Sequence, residues 1–175
     1  ATHIQHMQKS LRLMNLLLDN VVSDITGKTG LKIIREILLG ERDSRKLASY
    51  RDKRCKNSIE TIAKSLKGNY RNEHLFTLKQ AVELYDIYDV KLKDCDITIE
   101  KCLSQLDKQT DQVFKKKTIQ KKMSDLNFDL SPYLYGICGT DLTEIDGLSG
   151  HTVLKVLAET GVNMNKWKTA KHFVS

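Results

Sequence analysis

Residues 72–113 read NEHLFTLKQAVELYDIYDVKLKDCDITIEKCLSQLDKQTDQV, and this stretch decides the fold of the chain. An apolar residue recurs at every seventh position without a failure: Leu78, Tyr85, Leu92, Ile99, Leu106 and Val113. A seven-residue period belongs to a helix with a narrow apolar seam and excludes a strand. It predicts one helix over about 72–114, roughly 60 Å long at 1.5 Å per residue. We expect such a helix to pair as a coiled coil, within the chain or between two copies. The alternative is an amphipathic helix packed inside a single monomer.

The companion row of the same heptads is less regular. It reads Leu75, Val82, Asp89, Asp96, Leu103 and Thr110. Its two aspartates predict a seam that is partly wet and that sets the register of the pairing.

The opening of the chain carries a second heptad, which predicts a helix over about residues 4–25. Its apolar positions are Ile4, Met7, Leu11, Met14, Leu18, Val21 and Ile25, and the breakers Gly27 and Gly30 follow. Three short helices are then expected, forming a small helical cap. The first is capped by Thr29 and stopped by Gly40, the second is capped by Asp43 or Ser44, and the third by Asn57 or Ser58. Residues 1–120 are therefore predicted to be a helical coiled-coil and dimerisation region.

Composition narrows the class of protein. The chain has 175 residues, of which 40% are hydrophobic and 29% charged, and it contains a single proline. No apolar run approaches the ~18 residues of a membrane span, and the four scattered cysteines show no metal-ligand spacing. We expect an all-α, reduced, intracellular protein with no metal site of its own and no membrane partner.

Charge is distributed unevenly along the chain. Residues 1–72 carry fifteen Lys and Arg against seven Asp and Glu, a balance of +8. Residues 73–114 have a balance of −4, and residues 115–175 a balance of +3. Basic segments on either side of an acidic helix favour a polyanionic partner, although a merely solvated surface is the alternative. The candidate phosphate contacts in these segments are Arg51, Lys53, Arg54, Lys115, Lys116, Lys117, Lys121 and Lys122.

Residues 141–161 have the layout of a helix-hairpin-helix. A short helix over about Asp141–Ile145 is followed by a turn at Gly147–Gly150 and by a second helix over about His151–Thr160. Glycines in such a turn let backbone N–H groups approach a phosphate without a side chain in the way. The predicted contact residues are Gly147, Leu148, Ser149, Gly150, Thr152 and Lys155. The second glycine usually comes two residues after the first, but that place is occupied by Ser149. A purely structural helical hairpin is the alternative.

Four stretches resemble the DEDD-type insertion-sequence transposases, the Piv-related family written in words IS-one-hundred-ten, and in particular its IS-eleven-eleven branch. They are HIQHMQK at 3–9, ITGKTGLKIIR at 25–35, ETIAKSLKGNYRNEHLF at 60–76, and 139–161 followed by KHF at 171–173. They occur in the family's order and span nearly the whole chain.

The resemblance implies that residues 121–175 are the start of the family's C-terminal transposase domain. Members of this family cut and rejoin DNA with a bound guide RNA, and coiled-coil pairing assembles their subunits. The four metal-binding acidic residues precede the part that this chain resembles, and the nucleophilic serine follows it. The resemblance therefore assigns no catalytic residue and no cofactor here, with Mg²⁺ expected only for the acidic domain.

We expect a fragment or truncated copy of such a transposase, located in the bacterial cytoplasm at the nucleoid. Self-association and binding to DNA or to structured guide RNA are its expected activities, without recombination by this chain alone. The alternatives are a helical protein-interaction module without nucleic-acid binding and a regulator that disturbs assembly of intact transposase.

Overall fold

The computed structural model describes residues 2–114 and 126–174. The regular structure of these residues is entirely helical, which confirms the predicted all-α class. The α-helices are α1 (Thr2–Leu13), α2 (Lys28–Leu38), α3 (Ser44–Ser49), α4 (Ile59–Ser65), α5 (Asn72–Ser104), α6 (Ser131–Cys138), α7 (Gly150–Thr160) and α8 (Ala170–Val174). Short 3-10 turns lie at Leu18–Asn20, Leu142–Glu144 and Met164–Lys166. None of the helices so described is both long enough and apolar enough to cross a membrane.

The chain divides into two compact units, Ala1–Val90 and Lys91–Ser175, and helix α5 contributes residues to both. The predicted boundary at residue 120 lies among residues 115–125, outside the part that the structure describes.

The first unit is built around one apolar core. Helices α1 to α5 each contribute an apolar face to it. Members from the five helices include Met7, Leu11, Ile33, Ile34, Ile37, Leu47, Ala48, Ile62, Ala63, Leu78, Ala81 and Val82. Full burial of each large aliphatic side chain is worth about 1.5–3 kcal/mol, so this cluster is the main source of the unit's stability.

The opening helix is shorter than predicted. It ends at Leu13 instead of continuing to Ile25, and Asn15 has a positive φ of 57°. Beyond the break, Leu17 N–H donates to the Ser65 carbonyl (2.9 Å), and Asn69 N–H donates to the Met14 carbonyl (2.9 Å). The predicted end of this helix was wrong because a heptad pattern shows only which residues are buried. Residues in an irregular segment can be buried just as completely as residues in a helix.

Polar side chains begin two of the short helices as predicted. The Asp43 carboxylate accepts from the N–H groups of Arg45 and Lys46 at the start of α3, and Ser58 accepts from Thr61 N–H at the start of α4. Gly40, with φ of 101°, follows the end of α2.

The predicted cap of α2 is wrong. Gly27 is the N-cap residue, and Thr29 lies inside the first turn. The Thr29 hydroxyl instead accepts from Asp52 N–H at 2.8 Å, which ties the helix to a distant loop.

Helix α5 uses the first half of its predicted seam within the first unit. Leu78 is fully buried, and Tyr85 packs against the same core. The His3 ring stacks on Tyr88 with centroids 5.1 Å apart, whereas the opposite end of α1 lies near Asn69. Helices α1 and α5 therefore run antiparallel.

The second half of the seam does not continue as predicted. The helix ends at Ser104, ten residues early, because Gln109 N–H (2.8 Å) and Thr110 N–H (3.3 Å) turn away to the Gly136 carbonyl. Val113 is 84% exposed outside any helix, and Leu106 also lies beyond the helix end.

The second unit has a smaller core around α6 and α7. Its buried members are Leu103, Leu130, Leu134, Ile137 and Val153. Asp96 is buried in this unit and accepts from the backbone N–H of Asn127 (3.0 Å) and from its Nδ2 (2.6 Å). The expectation of a wet seam is therefore wrong at Asp96, whose carboxylate is satisfied internally.

Candidate nucleic-acid interface

The hairpin of residues 141–161 is formed by a 3-10 turn and a regular helix. The predicted first helix is reduced to Leu142–Glu144, where the Asp141 carboxylate accepts from Thr143 N–H at 3.0 Å. Helix α7 begins at Gly150, one residue earlier than predicted, and Gly161 with φ of 74° follows its last residue.

Ser149 is the N-cap residue of α7. Its hydroxyl accepts from Thr152 N–H at 3.1 Å and lies 2.8 Å from the Thr152 hydroxyl. Sequence reasoning placed Ser149 and Thr152 at a phosphate, but in the structure their side chains bond to each other. These two side chains therefore cap the helix, and a phosphate at this end would be bound by backbone N–H groups instead.

The turn in front of α7 is open. Gly147 has φ of 86°, and a Cβ at this position would meet no atom within 4 Å. Leu148 packs against the core of the second unit, which anchors the exposed turn, and Gly150 is buried. The first N–H groups of a helix have no intrahelical partner, and the helix dipole adds partial positive charge there. This end of α7 has the properties of an anion-binding helix terminus.

Lys155 is exposed, but it lies on the wall of an apolar groove. The groove has a volume of about 580 Å³ and lies between the last turns of α5 and helix α7. Its walls include Ile99, Cys102, Leu103, Leu106, Leu154, Leu157, Ala158 and Val162. Sequence reasoning missed this groove, although the spacing of Leu154, Leu157 and Ala158 marks an apolar helix face.

The basic segment 42–56 is partly committed to the protein's own backbone. The Arg51 guanidinium donates to the carbonyl oxygens of Cys55 (3.0 Å) and Asn57 (3.2 Å). The Arg42 guanidinium donates to the Ile37 carbonyl at 2.6 Å and lies over the Tyr70 ring. These two arginines hold loops in place, so the predicted phosphate contact by Arg51 would compete with an existing role.

Arg54 remains exposed and is paired with Asp52. Its Nε lies 3.2 Å from the carboxylate, and Lys28 Nζ lies 3.4 Å from the same group. The backbone N–H of Arg54, its side chain and Lys28 together lower the pKa of Asp52 to about 2. Lys53 is exposed, and its predicted phosphate contact stays a prediction.

A cavity adjoins this loop in the first unit and was not expected from the sequence. Its volume is about 460 Å³, and Lys28, Arg54, Lys56 and Asn57 are among its lining residues. Because Asp24 and Asp52 line the same cavity, its net positive charge is small.

Lys115, Lys116, Lys117, Lys121 and Lys122 lie outside the described residues, so the densest predicted basic cluster stays a prediction. Within residues 2–114 and 126–174, no group of three or more His, Cys, Asp or Glu side chains is placed to hold a metal ion.

Comparison of the chain with protein-family models, with curated proteins and with solved structures finds no match.

Proposed function

We propose that this chain is a nucleic-acid-binding and self-associating part of a DEDD-type insertion-sequence transposase, active in DNA transposition. In this proposal it contacts DNA or structured guide RNA, carries no catalytic residue, and works in the bacterial cytoplasm at the nucleoid. The four family-like stretches and the basic segments on either side of an acidic helix support it.

One observation carries the nucleic-acid part of the proposal. It is the exposed Gly147 turn, which leads directly into the capped first turn of α7. A phosphate approaching this end meets backbone N–H groups and no side chain from Gly147. Because phosphates carry no base identity, the expected binding is independent of sequence.

The test is a salt series of binding to labelled duplex DNA and to structured RNA, comparing wild type with Gly147→Val. A β-branched residue at a φ of 86° distorts the turn and adds bulk in front of the helix end. Gly40→Val is a matched control, because Gly40 also has a positive φ and no atom within 4 Å of its Cβ position. We expect affinity to fall steeply with salt and to fall further in Gly147→Val alone.

Equal losses in the two glycine variants would mean that backbone strain, not the hairpin, weakens binding. The Lys155→Ala variant supports the same test without backbone strain, and a loss of one phosphate contact should flatten the salt dependence. If wild type binds neither nucleic acid at low salt, the protein-interaction alternative replaces this proposal.

Self-association is the second part of the proposal, and it is supported by apolar residues that helix α5 leaves exposed. Leu92 is 62% exposed, and Tyr88 and Cys95 lie beside it on the same face of the helix. Such a face is suited to pairing with a second copy.

Leu92→Glu should shift the sedimentation of the chain towards the monomer, because it introduces a charge into the contact. Leu39→Glu, at an exposed leucine that is not part of α5, is the control. A wild-type chain that is monomeric at high concentration would rule out this part of the proposal.

A further inference from the structure

The end of the chain combines exposed aromatic rings with positive charge. Residues 160–174 contain no Asp or Glu, but they contain Lys166, Trp167, Lys168, Lys171, His172 and Phe173. The three lysines are exposed in the structure. None of these residues was used in the proposed hairpin contact.

The two rings form an ordered pair. Trp167 and Phe173 pack edge to face, with centroids 5.6 Å apart and an interplanar angle of 89°. Thr169 supports this arrangement, because its carbonyl and hydroxyl both accept from His172 N–H (3.0 and 3.4 Å) at the start of α8. Trp167 directly follows the 3-10 turn and Phe173 lies within α8, so both rings are carried by ordered elements.

The pair is not a closed apolar cluster. Trp167 is 36% exposed and Phe173 is 39% exposed. In an edge-to-face pair each ring covers at most one face of the other, so flat ring surface stays available for a ligand. Lysines on both sides of Trp167 would attract an anion to that surface.

We propose that Trp167 and Phe173, with Lys166, Lys168 and Lys171, form a stacking platform for unpaired bases of a single-stranded nucleic acid. Bases stack on the rings while the lysines contact the neighbouring phosphates, the combination by which single strands are bound without sequence preference. Duplex DNA hides the faces of its bases, so the platform distinguishes unpaired from paired strands. The inference rests on the proposed nucleic-acid function and assigns a second, different contact to it.

The chain contains one tryptophan, which makes the platform directly observable. The 175-residue chain is titrated with oligothymidylate, with oligouridylate and with an abasic oligomer that carries the same phosphates. Stacking should quench the fluorescence of Trp167 with the two oligomers that have bases and leave it nearly unchanged with the abasic one. The relative affinities of the deoxy and ribo oligomers then show which kind of strand is preferred.

Affinity is measured in parallel from the anisotropy of labelled oligomers. Trp167→Ala should weaken binding of oligothymidylate between about fivefold and a hundredfold, the usual effect of losing one stacked base. Trp167→Phe should keep most of the affinity, which also shows that the platform is folded. Phe76→Ala removes another exposed aromatic ring in the first unit and is the matched control.

Equal affinity for the abasic oligomer, or unchanged affinity in Trp167→Ala, would overturn the platform and leave only charge attraction. A blue shift on vesicles of anionic lipid, without quenching by oligomers, would overturn it in favour of a membrane surface. The hairpin test is separate: Gly147→Val acts on duplex binding and should leave quenching by oligothymidylate intact. Loss of the platform alone therefore leaves the proposed function standing, and quenching without duplex binding rejects the hairpin alone.

Discussion

The two compact units use their apolar residues differently. In the first unit, five helices direct their apolar faces into one core, and many of the large side chains there are fully buried. In the second unit the buried cluster is small, while an apolar groove, an open glycine turn and an aromatic pair face outward. The first unit therefore has the character of a scaffold, and the second presents surfaces that are suited to binding.

The largest expected effect is a break in the scaffold at Gly30. Alanine in a helix is normally more stable than glycine by about 1 kcal/mol. A Cβ at Gly30, however, would lie 2.2 Å from the Ile25 carbonyl oxygen and 2.6 Å from its Cα. Because these are backbone atoms that cannot rotate aside, we expect Gly30→Ala to destabilise the first unit by about 3 kcal/mol or more.

Hydrogen exchange measured by mass spectrometry can check this separately in each unit. Protection should fall in helices α1 to α4 and stay unchanged in α7. Leu39→Ala, at a leucine that is mostly exposed after the same helix, should change neither unit. Wild-type protection in Gly30→Ala would mean that helix propensity, not the close approach to Ile25, dominates at this position.

The same contrast explains what could be predicted from the sequence. The heptad positions Met7 and Leu11 in α1 and Leu78 in α5 are buried in the core as their spacing predicts, because periodic burial is what folds these helices. Helix capping by Asp43 and Ser58 could also be predicted from the sequence, because each capping hydrogen bond spans only two or three residues.

Errors arose where a distant partner decides the backbone. The Gly136 carbonyl draws the N–H groups of Gln109 and Thr110 away from a helix, and the heptad spacing of Leu106 and Val113 contains no sign of it. Asp96 looked like a polar interruption of a seam, but its partner Asn127 is 31 residues away. The second helix of the predicted hairpin was located to within one residue, whereas its first helix is only a 3-10 turn and the mutual bond of Ser149 and Thr152 could not be predicted from the sequence.

A smaller effect is expected in the second unit at Asp96. Asp96→Ala leaves the backbone N–H and the side-chain amide of Asn127 without their acceptor. Asn127 itself is exposed and its donors can turn to water, so the expected loss is the net worth of hydrogen bonds to a charged acceptor, about 1.5–3 kcal/mol. Hydrogen exchange measured during urea unfolding should show reduced protection in the second unit. Protection in the first unit should not change. This result would establish that the thinner core depends on a polar contact.

Ile97→Ala is the control, because Ile97 neighbours Asp96 on α5 but is largely exposed. Asp96→Asn keeps one acceptor oxygen and should lose less stability than Asp96→Ala. If both Asp96 variants unfold like wild type, the hydrogen bonds to Asn127 contribute nothing net, and the apolar cluster alone holds the unit.

The smallest expected effect is a pH dependence confined to the first unit. Asp52 has a pKa of about 2, below its usual 3.8, because the Arg54 N–H and the Arg54 and Lys28 side chains favour its ionised form. A lowered pKa in the folded state contributes stability that is complete above pH 3.8 and is lost as pH falls to about 2. Asp52→Asn should therefore be slightly less stable at neutral pH and should lose less on acidification through this range.

Acid titration of hydrogen-exchange protection in α2 and α7 would measure the difference. The curves of wild type and Asp52→Asn should approach each other in α2 near pH 2, because protonation then removes the same charge from the wild-type protein. Helix α7 should titrate identically in both proteins, since Lys28 and Arg54, which pair with Asp52, lie in the first unit. If the α2 curves of wild type and Asp52→Asn stay parallel down to pH 2, the negative charge of Asp52 does not stabilise its loop. Asp52 would then act only as a hydrogen-bond acceptor.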